Sequence, residues 1–313
     1  MRELIVNEND SDQRVDKFLS KSLKNLPTSL MYKYIRNKKI KVNKQRCFIS
    51  QRLQTGDTLQ CYIAEEFFEG EVNLDFLEAK SNIDIVYEDE NLLLVNKEAG
   101  LLCHSDEIDD HDTLIDRIKH YLYDQKSFDP ASEQSFAPSL TNRLDRNTSG
   151  IVIAAKNAKT LRLINVLLKE HRIKKYYHCI VSGKMDKASD RIVFYHQKQT
   201  GNIADIVETP QEGYKEVISV YRVLDYKHDV SLLEVDLQSG KSHQIRSTLA
   251  YLHHPLLGDV KYLGKKLGNY QLMLCACELV FPDEKALEHL SYLKNKHFIL
   301  MDNPVDEYYK KLN

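Results

Sequence analysis

The chain has 313 residues, 42% hydrophobic and 29% charged, with a net charge of −2. That is enough for two domains and at least one sizeable core, at ordinary globular composition. No apolar run approaches the ~20 residues of a membrane span, and the opening Met1–Asp10 stretch holds no apolar signal-peptide core.

The six cysteines, Cys47, Cys61, Cys103, Cys179, Cys275 and Cys277, include no Cys-x-x-Cys. Cys275 and Cys277 lie two apart in an apolar run and read as strand side chains, not a zinc clamp. Free thiols without an export signal lead us to expect a reducing cytoplasm. The small net charge hides an asymmetry: residues 1–64 carry thirteen Lys and Arg against six Asp and Glu, about +7, which leaves about −9 for the rest. A solvated basic face is common, but this distribution also suits a first region that meets a polyanion.

In chain order, Leu4–Val6 reads as a short strand. Val15, Phe18, Leu19 and Leu23 share one face of a helix over 14–25. Pro27 interrupts, and Thr28 or Ser29 is placed to cap a second helix from Leu30 to about Asn37. Lys38–Asn43 alternates as a strand, and Gly56-Asp57 turns into another at Thr58–Ile63. Lys33, Arg36, Lys38, Lys39, Lys41 and Lys44 cluster here. Residues 65–80 are acidic and read as an extended linker. Ile83–Gly100 reads as a hairpin across an acidic turn. Thr113–Gln125 reads as an amphipathic helix, and 126–137 as loop.

Asn142-Arg143-Leu144-Asp145-Arg146-Asn147-Thr148-Ser149-Gly150 follows, then the apolar strand Ile151–Ala155. Asp145 thus sits on a tight loop at the mouth of a buried strand, where a rigid scaffold can present a reactive group. Arg143 and Arg146 would hold its carboxylate ionised. An Asp in a polar turn more ordinarily bonds its own backbone.

Asn157 caps a helix with Leu161, Ile164, Leu167 and Leu168 on its apolar face. Lys174–Gly183 alternates as a strand with Tyr177, Cys179 and Val181 on one side. Residues 186–213 read as polar and turn-rich. Val217–Val223 and Val230–Val235 read as strands, and Gln238–Arg246 leads into a helix to about Leu252. Arg246 falls off the face of Ile245 and Leu249. His254-Pro255-Leu256-Leu257-Gly258-Asp259-Val260-Lys261-Tyr262 comes next. His243 and His254 are too isolated to form a metal site. Gln271–Phe281 reads as a last core strand, and the tail from Pro282 as helical and polar. There is no internal repeat.

Three of these runs resemble the motifs of the RluA-type family of RNA pseudouridine synthases. Arg143, Leu144, Asp145, Thr148, Ser149 and Gly150 match its signature, with Asn142 in place of the commoner His. Lys175-x-Tyr177-x-Cys179-x-Val181-x-Gly183 resembles the second motif, which places the family's active-site tyrosine on Tyr177, with Cys179 in an alanine's place. Gly240–Arg246 and His254–Tyr262 resemble the third, with Lys241 and Ser242 as departures. In the 83–100 hairpin, Glu98 replaces a usual proline. Residues 12–64 resemble a small RNA-binding module first named for a ribosomal protein, through Arg14-x-Asp16-x-x-Leu19, Ile40-x-Val42-Asn43 and Gly56-Asp57. Phosphate contacts from its basic cluster would position RNA without reading sequence.

The resemblance implies an α+β fold. It comprises a catalytic domain (80–313) with a predominantly antiparallel mixed sheet flanked by helices, and a small α/β RNA-binding domain (1–72). It implies an isomerase that cuts the bond between uracil nitrogen 1 and the ribose, turns the base and rejoins it through carbon 5. No cofactor and no metal are expected. Asp145 would attack carbon 1′ or take a proton from carbon 2′. Arg246 would pair with Asp145. Tyr177 would pack on the uracil, or take the carbon 5 proton. Arg143 would fill the space of the unstacked base, with Arg146, Lys33, Arg36, Lys38, Lys39 and Lys41 as further RNA contacts. The expected partner is RNA, ribosomal (large-subunit) before transfer RNA, and the expected protein is a cytoplasmic monomer. The competing reading is an RNA-binding assembly protein with a dead site; a hydrolase lacks its paired acid and base.

Overall fold

The expected helical face of Val15, Phe18, Leu19 and Leu23 is buried whole. Its first three residues belong to α1 (Val15–Ser22), which follows strand β1 (Arg2–Ile5), and Leu23 is the residue that ends the helix. Helix α2 (Thr28–Arg36) begins at Thr28 itself behind Pro27, and neither Thr28 nor Ser29 caps it. Strands β2 (Ile40–Val42), β3 (Gln45–Arg46) and β4 (Thr58–Cys61) complete a four-stranded sheet in the order β1-β4-β2-β3. One side of this sheet, with α1 and α2, closes a core that includes Phe18, Met31, Ile40 and Leu59. The computed structural model describes residues 1–70, 72–105, 112–199, 201, 203–268, 272–283 and 285–312.

The 65–80 stretch is not simply extended. It makes short 3₁₀ turns at Glu65–Phe67 and Asp75–Glu78. Phe67 and Phe68 pack on the small core, while Phe76 is buried in the large one. The two regions also meet through polar contacts. Asn9 donates to Glu133 (2.9 Å) and accepts from the Ala158 N–H (3.1 Å). Gln13 donates to Ser135 (2.7 Å), and Arg162 donates to the Ser11 carbonyl (3.1 Å).

The second region contains β5 (Ile85–Glu88), β6 (Leu92–Lys97), α3 (Leu114–Asp124), β7 (Ser139–Leu140), β8 (Ser149–Ala155), α4 (Ala158–Lys169) and β9 (Lys174–Ser182). It continues with β10 (Ser189–Lys198), β11 (Ala204–Val207), β12 (Lys215–Lys227), β13 (Val230–Leu237), α5 (Gln244–Tyr251), β14 (Leu274–Val280), β15 (His297–Ile299) and α6 (Pro304–Lys311). Thr113 and Asn157 cap α3 and α4 by accepting from the N–H three residues on. One mixed sheet runs β11-β10-β12-β13-β9-β14-β8-β6-β5, with β15 on β14 and β7 on β8. Among the described residues β8–β14 is its parallel pair; the rest are antiparallel.

Two expectations fail here. Residues 186–213 hold the β10–β11 hairpin, whose inward face is Ile192, Phe194, His196, Ala204 and Ile206. The tail is not merely helical and polar. Strand β15 pairs with β14, Leu287, Leu290 and Leu293 close one core, and Val305 and Tyr309 of α6 close another. Gln271, the expected start of the last core strand, lies outside the described residues. Cys275 and Cys277 share one buried face, and all six cysteines are unpaired. No helix among the described residues is long and apolar enough to cross a membrane.

Candidate functional site

The register of three strands assembles the site. Ala276 of β14 faces Tyr177 of β9 on one side and Gly150 of β8 on the other. Gly150 ends the Asp145 stretch, so the acid's loop and the tyrosine flank the same point of β14. Only glycine fits there. The φ of Gly150 is +119°, and a Cβ would stand 2.7 Å from the Ala276 carbonyl carbon.

The loop itself is pinned. The Asp145 carbonyl accepts from the Thr148 N–H at 3.1 Å. Leu144 is buried, and its N–H donates to Cys103 Sγ at 3.4 Å. Lys97, at the end of β6, is 1% exposed. Its Nζ donates to the carbonyls of Glu98 (2.9 Å), Leu101 (2.8 Å) and Arg146 (3.0 Å), tying two loops together. Burial pulls its pKa down to about 8, although three carbonyl acceptors favour the ammonium.

Asp145 does not pair with its sequence neighbours. Arg143 is exposed, and Arg146 turns away so that its Nε donates to the Gly100 carbonyl at 3.1 Å. The partner of the acid is Arg246 of α5, whose Nη1 donates to Asp145 Oδ2 at 3.1 Å. The planar two-point grip of Arg246 goes instead to Asp259, with Nε to Oδ2 at 2.7 Å and Nη2 to Oδ1 at 2.8 Å. Asp259 is 1% exposed and Asp145 26% exposed by side chain. The loop carrying Asp259 is fixed on the strand of Tyr177: Leu257 N–H donates to the Ile180 carbonyl (2.9 Å) and Ser182 N–H to that of Pro255 (3.0 Å).

His243 lies beside the pair, its Nε2 3.8 Å from the same Asp145 Oδ2. Its Nδ1 meets the Tyr262 hydroxyl at 2.9 Å, and the Arg246 guanidinium sits 5.2 Å from the Tyr262 ring centroid. Tyr177 is 5% exposed. Burial pushes its phenol well above the ordinary range, and the charge of Asp145 pushes it further. In the free protein its hydroxyl is therefore protonated and is no base.

Asp145, Tyr177 and Arg246 are brought together from three separate stretches. The sequence reading missed Asp259, His243, Tyr262 and Lys97. The first three lie in the quoted motif runs, so the signal was there without a role. Lys97 was visible as the last residue of a strand that opens with four apolar ones. Among the described residues no three His, Cys, Asp or Glu side chains converge as metal ligands.

The basic cluster lies elsewhere, on the small sheet and α2. Lys33, Arg36, Lys38 and Lys39 are exposed and Lys41 is half-buried. The ion pairs of this region use Arg2, Arg14 and Arg52 instead. Lys39, Lys41 and Arg46 each lie 5.5 Å from an aromatic ring centroid, those of Tyr34, Tyr62 and Phe48. Tyr62 and Phe48 are exposed, and cations over exposed rings offer a nucleic acid both charge and stacking surface.

An acid contacted by a buried arginine thus lies at a strand mouth near a buried tyrosine, in a chain that opens with a basic module. Residues 91–251 match the family described as RNA pseudouridylate synthase, and residues 13–59 match the S4 domain. An uncharacterized RNA pseudouridine synthase of Mycoplasma capricolum is 35% identical, covering 97% of this chain and 98% of that protein. Ribosomal large subunit pseudouridine synthase C of Vibrio cholerae is 28% identical, covering 90% of each. The structure of human RNA pseudouridylate synthase domain containing 4 superposes with a TM-score of 0.55 at 19% identity, covering 71% of this chain and 89% of that one, and so shares the fold. The chain belongs to the RNA pseudouridylate synthase family: it is an isomerase that acts on RNA, with an S4 domain before its catalytic region.

Proposed function

We propose that the chain converts uridines of large-subunit ribosomal RNA to pseudouridine, with Asp145, Arg246 and Tyr177 as its working residues. The observation that carries the assignment of residues is the single contact of Arg246 with Asp145 Oδ2, which leaves Oδ1 without a hydrogen bond among the described residues. That free oxygen is the atom to work at the ribose, whether on carbon 1′ or on the proton of carbon 2′. The bond from carbon 1′ to nitrogen 1 breaks and one to carbon 5 forms. The proton lost from carbon 5 is matched by one taken up at nitrogen 1.

Both routes consume the negative charge of Asp145, by ester formation or by protonation. The charge of Asp145, the largest cause after burial that raises the Tyr177 pKa, then disappears, so its hydroxyl is easier to ionise after the glycosidic bond is cut. Tyr177 would thus carry the ring first and the carbon 5 proton second. Arg143, exposed beside the acid, would fill the space that the unstacked uridine leaves.

We read residues 1–72 as the RNA-docking domain and 80–313 as the catalytic domain, a division supported by their separate cores. Lys33, Arg36, Lys38, Lys39, Lys41 and Arg146 would contact phosphates. The ribosomal target is supported by the names of full-length relatives from Vibrio cholerae and Buchnera aphidicola, ribosomal large subunit pseudouridine synthase C. That substrate would place the protein in the cytoplasm, in keeping with its unpaired cysteines. The test maps pseudouridines in total RNA with and without the gene. Loss at large-subunit positions is expected; loss confined to transfer RNA would overturn the target.

A further inference from the structure

We propose that His243 is a positioning residue of the isomerase: a neutral imidazole whose Nε2–H is the second donor to Asp145 and aims its free oxygen at the ribose. The proposal rests on Asp145 being the working acid.

The protonation of the ring follows from its other side. The Tyr262 hydroxyl accepts from the Ala204 N–H at 2.7 Å and stands 2.9 Å from His243 Nδ1. Tyr262 is 8% exposed, and its hydroxyl has one proton of its own to place. Among its partners in the described residues only Nδ1 can take it. Nδ1 is then the acceptor, and the ring's own hydrogen must sit on Nε2, the atom that faces Asp145 Oδ2 at 3.8 Å. The groups around the ring are Asp145, Arg246, Lys261, Asp259 and Tyr262. Burial, the largest influence, together with the charges of Arg246 and Lys261 outweighs the two acids and holds the imidazole below its usual value.

The backbone is bent to present this ring. His243 precedes α5 with φ at +57°, a left-handed conformation that side chains with a β-carbon rarely take. The ring makes no cap hydrogen bond to α5. Such a conformation persists where its surroundings enforce it. Here three bonds do so: the Tyr262 hydroxyl on the ring, and the Ser247 N–H (2.9 Å) and hydroxyl (3.0 Å), both donating to the His243 carbonyl.

Both donors therefore approach the same oxygen. Arg246 Nη1 reaches Oδ2 at 3.1 Å, and His243 Nε2 waits at 3.8 Å, beyond hydrogen-bond length. Catalytic hydrogen bonds in free enzymes are often long and tighten when substrate binds. When RNA covers the half-exposed acid, the His243 contact shortens, and the carboxylate is clamped by one oxygen with the other turned to the sugar.

Two experiments test this. The first is the imidazole tautomer in the wild-type protein, from nitrogen chemical shifts of labelled histidine assigned with a His243 variant. The Nε2–H form at pH 7.5 is expected; the Nδ1–H form or an imidazolium overturns the proposal, whatever the substrate is. The second compares His243→Gln with His243→Asn on a large-subunit RNA transcript that the wild type modifies. The glutamine amide places an N–H near the Nε2 position, whereas asparagine mimics only the Nδ1 side. His243→Gln should keep turnover within about tenfold and lose the fall in rate at acid pH, below the usual imidazole value, that titration of the ring gives the wild type. His243→Asn should lose about a hundredfold in turnover with RNA affinity unchanged, the scale of a displaced reacting group. Equal loss in both variants, no loss in His243→Asn, or a loss expressed in affinity overturns it. A wild type that modifies no RNA would instead defeat the reading of function, and the tautomer result would still stand.

Discussion

Arg246 binds Asp259 with two nitrogens and Asp145 with one, so two acids of like charge share a guanidinium unequally. The buried acid takes the planar two-point contact that an arginine makes best, and the half-exposed one takes what is left. Stability and chemistry should then separate. Asp259→Ala strands a buried cation and should cost about 3–5 kcal/mol of unfolding free energy in urea titrations. Asp145→Asn should cost under about 1 kcal/mol, yet lower turnover at least roughly a thousandfold in a tritium-release assay. Appreciable turnover by Asp145→Asn would remove the acid from the reaction.

Tyr177→Phe keeps the ring and its buried packing and removes only the hydroxyl. RNA affinity should stay within a few-fold while release of tritium from carbon 5 stops. With RNA carrying 5-fluorouridine, which has no such proton, the variant should still rearrange the base. Wild-type tritium release would leave Tyr177 as a platform for the base and nothing more.

Gly150→Ala meets both a left-handed backbone and the main chain of Ala276. A loss of about 2–4 kcal/mol is expected, from backbone strain and overpacking together. Unfolding within about 1 kcal/mol of the wild type would mean that β8 and β14 can part without cost.

Replacing Lys33, Arg36 and Lys38 together by Gln should weaken RNA binding about equally for all sequences. For A-form RNA or single strands the slope of log affinity against log salt should flatten by roughly 0.7–0.9 for each phosphate that these side chains cease to neutralise. An unchanged slope would take these three side chains out of the RNA interface.

His104, His243 and His289 are all held below the usual imidazole value by burial. Between those lowered values and about 6.5 the unfolded chain binds more protons than the folded one, so stability rises with pH across that window. Urea midpoints should be higher at pH 7.5 than at pH 5.5. A flat or reversed dependence would show that these rings charge freely in the folded state.

Much of this was legible in the sequence where one face of an element is apolar and the other polar. Helix α1 is such a case, the wholly buried β8 was legible instead as a continuous apolar run, and Asn157 shows its capping role in its side chain. Strands β10 and β11 were hidden because their inward row includes His196 and Ala204, while their outer row carries Tyr195 and Asp205. They lie at the edge of the sheet, where one face is solvated and the apolar signal is thin. The tail's Leu287, Leu290 and Leu293 lie three residues apart, a spacing close to that of one helical face. The structure bends this segment through 3₁₀ turns, with Glu288 at φ +47°. At the site, the acid, the tyrosine and the arginine were legible through their motifs. Their partners were not, because the pairing of Arg246 with Asp259 depends on a loop held to β9 by long-range backbone bonds.

The short stretch between Phe68 and Phe76 sets a leash. Each ring is anchored in a different core, and eight residue steps separate them. If the polar contacts between the two regions let go, those of Ile5, Asn9, Asp10, Ser11 and Gln13 among them, the S4 domain can travel no farther from Phe76 than those steps allow, roughly 28 Å when fully drawn out. An RNA that engages both ends of the molecule must then offer its docking feature and its target uridine within one neighbourhood of its folded form. Choice among uridines thereby becomes a matter of distance as well as of bases, and lengthening the 69–75 segment should widen the set of positions modified.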